Sequence, residues 1–221
     1  MNLYRHHFTD GREFAAVPGK LVCVGRNYAE HVKELGNEMP DAPLLFMKPA
    51  TAMVAMAEPL ALPAGDGSCH HELELALLIA QPLRQAGPEE CRAAIAGIGL
   101  ALDLTLRDLQ AELKKKGHPW ERAKAFDGAS PLSRFIPFDP DLDFAQLNLR
   151  LSRNGGVQQQ GRCADMLFSV EALLSEISQS FSLMPGDVVL TGTPAGVGPL
   201  YSGDQLLCEL EGLLKIETIV I

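Results

Sequence analysis

The chain has 221 residues, 47% of them hydrophobic and 21% charged, a globular composition with enough apolar residues for one sizeable core. Its 28 acidic residues outnumber 19 basic ones, for a net charge of -9, which excludes a broad nucleic-acid surface because phosphates are neutralised by clustered Lys and Arg. Five scattered cysteines without CxxC spacing, no basic-then-apolar start and no apolar run near the ~20 residues of a bilayer span predict a cytoplasmic protein with free thiols and no membrane partner.

Residues 1–18 read as a short lead-in ending at Pro18-Gly19, and residues 19–221 as one catalytic-sized domain. KLVCVG (Lys20 to Gly25) is apolar and β-rich before a glycine, which predicts a buried strand. In NYAEHVKELG, Asn27 can cap a helix, Glu30 can complete a capping box and Gly36 can end it. GNEMPDAP reads as a loop and PLLFMKP as a strand. ELELALLIA is strand-like, and an Ala-rich stretch from Cys91 leads into GIGLALDLTL, with a helix expected over Arg107 to Lys116. The basic run Lys114-Lys115-Lys116 reads as a solvated end of that helix. LNLRLSRNGGVQQQG predicts a hairpin turning at Gly155-Gly156, and MLFSVEALLSEISQSFSL an amphipathic helix closed by Pro185-Gly186. DVVLTGTPAGVG, LYSGDQLLCEL and GLLKIETIVI read as strands with glycine turns between them. Strands dominate and helices intervene irregularly, so the expected class is α+β.

The strongest chemical signal is HHELELALLIA. Residues two apart on a strand share a face, so Glu72 and Glu74 point the same way at the mouth of an apolar strand. Two ionised carboxylates there repel and lose hydration unless a cation lies between them. A solvated strand end is the plainer alternative for the pair, but Asp103 breaks a second apolar run, GIGLALDLTL. Arg107 is available to satisfy Asp103; equally, all three acids can share one ion. An all-oxygen set suits Mg²⁺ or Mn²⁺ and leaves positions for water or substrate. Zinc is the competitor through His70 or His71, although neighbours on a strand face opposite sides and only one could join.

His31 and Glu34 are three apart on the predicted helix, where a carboxylate can fix an imidazole's tautomer and raise its basicity, although such pairs also decorate surfaces. Arg26 ends the preceding strand, where loop-borne functional groups gather. TGTPAGVG follows a strand but lacks a P-loop's GK[ST]; beyond a plain turn, its backbone N–H groups and the Thr193 hydroxyl can hold a carboxylate. Lys124 is a lone cation in semi-apolar company and can hold the same anion.

With CVGRNYAEHVKELG, PLLFMKP, HHELELALLIA, GIGLALDLTLRDLQ, KKKGHPWERAKAFDGASPLS, ADMLFS and GDVVLTGTPAGVGPLYSGD in this order, the chain from about Lys20 onward resembles the fumarylacetoacetate hydrolase family, in its short acylpyruvase and oxaloacetate-decarboxylase branch. The resemblance implies a mixed β-sandwich roll with flanking helices, a homodimer, and ligation of Mg²⁺ or Mn²⁺ by Glu72, Glu74 and Asp103. It implies a water-activating His31–Glu34 dyad on a lid helix. Lys124 and Thr193 would meet the substrate's oxo-acid end, with Arg107 and Gln110 lining the pocket. Gly155-Gly156 departs from the Gly-Glu that relatives often carry, and Gly128 to Ser130 falls where relatives vary. The expected reaction is hydrolysis of an acylpyruvate such as fumarylpyruvate or acetylpyruvate to pyruvate and a carboxylate. The alternatives are oxaloacetate decarboxylation, isomerisation and decarboxylation of 2-hydroxyhepta-2,4-diene-1,7-dioate type, and non-catalytic dicarboxylate binding.

Overall fold

A computed structural model describes residues 4–65 and 67–221. Its spine is an eight-stranded mixed sheet in the order Leu44–Lys48, Leu21–Gly25, Val188–Leu190, Leu73–Ile79, Ile95–Leu102, Ser130–Leu132 and Met53–Ala55, with Ile136–Pro137 pairing beside Ile95–Leu102. A four-stranded antiparallel sheet runs Gly156–Arg162, Asn148–Arg153, Gln205–Leu210, Leu214–Ile219. A small three-stranded sheet joins Gly198–Pro199, Cys69–His71 and Thr105–Leu106. The helices are α1 (Ala29–Glu34), α2 (Pro88–Ala93), α3 (Arg107–Lys116), α4 (Glu121–Lys124) and α5 (Val170–Ser180). The α+β class and the curled, sheet-dominated roll are as expected.

Every residue of Leu73–Ile79 is buried, because both faces of the large sheet are covered. Leu73, Leu75, Leu77 and Ile79 join a core shared with the four-stranded sheet and with Leu173, Leu174 and Ile177 of α5. Ala76 and Leu78, on the other face, meet Phe8, Leu132 and Phe135. A strand covered on both sides reads as a continuous apolar run, and each fully buried leucine contributes roughly 2 kcal/mol from water exclusion. All five cysteines are free and buried. No helix among the described residues is long and apolar enough to cross a membrane.

Local chemistry corrects the sequence in two places. Tyr28, not Asn27, is the N-cap of α1 and makes no side-chain cap; the Asn27 amide instead donates to Thr191 O and Phe168 O and accepts from Phe168 N–H. The hairpin turns at Asn154-Gly155, both at positive φ, and Gly156 already belongs to the next strand. The favoured two-residue hairpin turn needs two left-handed residues, which Asn-Gly supplies with little strain.

The N-terminal segment packs on the large sheet through Phe8 and a fully buried His6. His6 Nε2 donates to Gly186 O at 3.0 Å, while its ring meets Tyr4 and Phe135 edge-on. Burial opposes the imidazolium, and the His6 pKa falls from 6.5 to about 4. The unfolded chain takes up that proton near pH 6.5 and the folded chain refuses it, so stability is lost as pH falls through this window. Unfolding free energy measured by denaturant titration should drop between pH 6.5 and 4 by up to roughly 3 kcal/mol more in wild type than in His6→Gln. Parallel curves for the two proteins would exclude this role.

Candidate active site

Two adjacent strands leave the large sheet together and enter the small one. Leu73 pairs with Leu102 as the last rung of the large sheet, and His70 with Thr105 in the small one. Glu72 and Asp103 sit in the gap, joined by Asp103 N–H donating to Glu72 O at 2.8 Å. Glu74 follows on its strand, and one carboxylate oxygen from each of the three acids lies within 4.8 Å of the others. Glu72, Glu74 and Asp103 are 5%, 2% and 1% exposed. No histidine or cysteine joins this group among the described residues. His70 meets Ser68 and His71 meets Gln159.

Three buried negative charges need neutralising, and the chain brings cations to them. Lys124, the last residue of α4, donates to Glu72 Oε2 at 2.9 Å and to Asp103 Oδ2 at 2.5 Å. Arg107, available to satisfy Asp103, pairs with Glu72 and donates to Gln110 Oε1 at 2.7 Å. The second cation on Asp103 is Lys48, wholly buried at the end of its strand with Nζ 2.5 Å from Asp103 Oδ1. Lys48 directs its N–H groups at Ala129 O and Leu104 O. Its attraction to Asp103 is therefore Coulombic, and Oδ1 is left without an aligned donor. Sequence reasoning placed Lys48 only within an apolar strand; a lysine closing such a run before Pro49 was the available signal.

The balance is uneven. Burial alone would raise Glu72, but Lys124 and Arg107 overcome it and hold its carboxyl well below the usual range. Glu74 has the opposite fate: burial, then repulsion from Asp103 and Glu72, pushes its carboxyl far up. Lys124 is pushed up as well, since attraction from Asp103 and Glu72 outweighs burial. An oxygen-only donor set, an Asp103 oxygen without an aligned donor and a Glu74 carboxyl without a cationic partner among the described residues all fit a hard divalent cation. The residues present fit Mg²⁺ or Mn²⁺.

His31 Nδ1 lies 3.0 Å from Glu34 Oε2 on α1, with the imidazole 5% exposed. Glu34 accepting at Nδ1 keeps the proton there and leaves Nε2 as the basic nitrogen. The TGTPAGVG loop does hold carboxylates, but they are the chain's own. Gly192 N–H donates to Glu74 Oε2 at 2.6 Å, and Gly196 N–H donates to Glu34 Oε1 at 3.0 Å. Gly196 has φ +96°, and a Cβ there would lie 1.9 Å from Gln158 O. The Thr193 hydroxyl, expected to meet substrate, donates to Leu73 O at 2.9 Å and accepts from Gln159 Nε2 at 2.7 Å. Gln159, fully buried, also accepts from Leu73 N–H at 3.0 Å. It thus ties the acid-bearing strand to the loop; nothing in the run QQQ distinguished it from its neighbours.

One cleft joins these groups, lined by Glu72, Glu74 and Asp103, by His31 and Thr193, and by Arg26, Gln110 and Lys114. Lys114 lines its rim while remaining exposed, in keeping with a solvated helix end.

The chain belongs to the fumarylacetoacetate hydrolase family: the profile for the fumarylacetoacetate (FAA) hydrolase C-terminal domain matches residues 20–221. It is 52% identical over 215 residues to the oxaloacetate tautomerase YcgM of Escherichia coli (strain K12), covering 95% of this chain and 96% of the relative. Fumarylpyruvate hydrolase from Pseudomonas aeruginosa, solved in complex with Mn²⁺ and pyruvate, superposes with a TM-score of 0.92 at 31% identity, covering 100% of this chain and 97% of that one. A 2-hydroxyhepta-2,4-diene-1,7-dioate isomerase from Mycobacterium marinum gives 0.81 at 37% identity, covering 96% and 78%.

Two measurements probe this centre. The raised Glu74 carboxyl must lose its proton to ligate a cation, so Mn²⁺ binding should release protons and tighten as pH rises. Calorimetric titration in buffers of differing ionisation heat checks this, and buffer-independent heats would contradict it. Lys48→Met leaves Asp103 short of a buried partner and should cost about 3 kcal/mol of folding stability, recovered in part by adding Asp103→Asn. Additive losses in the double variant would show that the two groups are not coupled.

Proposed function

We propose that this protein is a divalent-metal-dependent enzyme of enolisable 2-oxo acids, interconverting the keto and enol forms of oxaloacetate. The observation that carries the reading is a histidine base, with its tautomer fixed, lining the same cleft as an oxygen-only metal cradle. The 52% identity to an oxaloacetate tautomerase supports it.

Glu72, Glu74 and Asp103 would hold Mg²⁺ or Mn²⁺, which would supply Lewis-acid polarisation of the 2-oxo acid. His31 Nε2 takes the proton from C3, and Glu34 stabilises the imidazolium that results. Lys124 stays protonated against Glu72 and Asp103 and contributes fixed positive charge as the C2 oxygen gains electron density. Arg107 and Gln110, bonded to each other, form one wall and orient the carboxylate end. Gly192 and Gly196 hold the Glu74 and Glu34 side chains in place.

Acylpyruvate hydrolysis is the second reading, supported by the His31–Glu34 dyad at the cleft and by similarity to a fumarylpyruvate hydrolase. Here Nε2 takes its proton from water, which attacks C4. The C3–C4 bond breaks, leaving pyruvate in its enol form and a carboxylic acid. Both reactions use the same base and the same electron-withdrawing end.

His31→Ala should slow enolisation of oxaloacetate, followed by enol absorbance, and acetylpyruvate cleavage by 10² to 10⁴-fold, leaving Mn²⁺ affinity within about twofold. Glu72→Ala should lose both activities along with Mn²⁺ binding. Wild-type rates in His31→Ala would remove the dyad from either mechanism. Comparing oxaloacetate, acetylpyruvate and 2-hydroxyhepta-2,4-diene-1,7-dioate on the wild type identifies the preferred reaction.

A further inference from the structure

Leu73 stands between two acids of the cradle, so the orientation of its peptide groups sets how Glu72 and Glu74 are aimed. Val188–Leu190 runs beside this strand, pairing with Leu78, Leu77 and Ala76, and Thr191 N–H still reaches Leu75 O at 3.2 Å. Beyond that rung the neighbouring chain turns into the 191–198 loop, and side chains take over from backbone. Gln159 Oε1 accepts from Leu73 N–H at 3.0 Å, and Thr193 Oγ1 donates to Leu73 O at 2.9 Å. Gln159 Nε2 donates to the same Thr193 hydroxyl at 2.7 Å, which closes a ring of three hydrogen bonds on Leu73.

Every bonding position of the Gln159 amide is used. Leu73 N–H can only donate, and Pro194 O, 2.9 Å from Nε2, can only accept, so the amide has one orientation. Its oxygen also takes the Nδ1 proton of His71 at 2.9 Å. A bulge aims the side chain inward. Val157 lies opposite Ser152 and Gln159 opposite Leu151, which leaves Gln158 as the extra residue. Without it Gln159 would lie opposite Arg150 and turn to the other face of the sheet. The bulged strand also presses on the loop: a Cβ on Gly196 would collide with Gln158 O, and one on Gly161 would meet Pro194 Cβ at 2.5 Å.

We propose that Gln159 is a positioning residue for the metal cradle, standing in for the absent strand rung at Leu73 and so fixing Glu72 and Glu74 relative to each other. It acts on Glu74 by a second route, because its bonds to Thr193 and Pro194 hold the loop whose Gly192 N–H donates to Glu74 Oε2. Gln159 does not line the cleft; it lowers the cost of gathering the acids around an ion by holding their backbone in place beforehand. The inference rests on the metal-cradle reading above and adds to it a residue remote from the ion.

The test is calorimetric titration of the substrate-free protein with Mn²⁺, alongside denaturant unfolding. Gln159→Met keeps the length of the side chain and removes its polar atoms; it should unfold cooperatively and bind Mn²⁺ at least about tenfold more weakly. Thr193→Val should lose a similar factor, while Thr193→Ser, which keeps the hydroxyl, should stay within about threefold of wild type. Gln159→Met/Thr193→Val should lose little more than the weaker-binding single variant, since either change already opens the ring. In the wild type, Mg²⁺ should slow hydrogen exchange of the Leu73 amide by a larger factor than that of Leu77 on the same strand, a measurement that needs no substitution. Wild-type Mn²⁺ affinity in Gln159→Met, multiplied losses in the double variant, or equal slowing of the two amides overturns the positioning role and leaves the metal reading intact. Failure of the wild type to bind Mn²⁺ overturns both.

Discussion

The centre of this molecule is a concentration of negative charge that the fold must keep out of water. Three carboxylates converge within 4.8 Å, each at most 5% exposed. In a medium of low polarity such a group is tolerable only with compensation. The surrounding architecture reads as a set of solutions to that problem. Lys48 enters from one edge of the large sheet, Lys124 from the end of α4 and Arg107 from the start of α3. Glu74, with only a backbone N–H as its donor among the described residues, is the member left undersupplied. A bound divalent ion completes the compensation and, in the same position, can polarise a substrate.

The strand crossover explains why the acids meet. Glu72 and Asp103 are 31 positions apart in the chain, yet each occupies the one-residue or two-residue gap between a long and a short strand. Because the partner strands are antiparallel and break at the same rung, the gaps face each other. The backbone hydrogen bond between them ties the two side chains to a single piece of rigid structure. Placement on sheet rather than loop suits a cradle that must keep fixed geometry.

Much of this was legible in the sequence, because it rests on short-range pattern. Acids interrupting apolar runs marked the centre, spacing paired His31 with Glu34, and a helix over Arg107 to Lys116 followed from composition and the glycine behind it. What stayed hidden depends on long-range packing. Lys48 looks like any strand-end lysine until the partner strands bury it, and Gln159 becomes singular only when its side chain meets His71, Leu73 and Thr193 across the fold. Asn27 carried a strong capping pattern, yet its amide satisfies backbone groups at Thr191 and Phe168. Tertiary hydrogen bonds of that kind override a local preference worth about 1 kcal/mol.

The turn over residues 191–196 grips two glutamates with opposite duties, Glu74 beside the cation cradle and Glu34 behind the imidazole. The acid cluster and the imidazole's carboxylate partner are therefore spaced by a single backbone ruler, whose length is set by glycines that admit no side chain. Drift in that ruler would detune both halves of the chemistry at once.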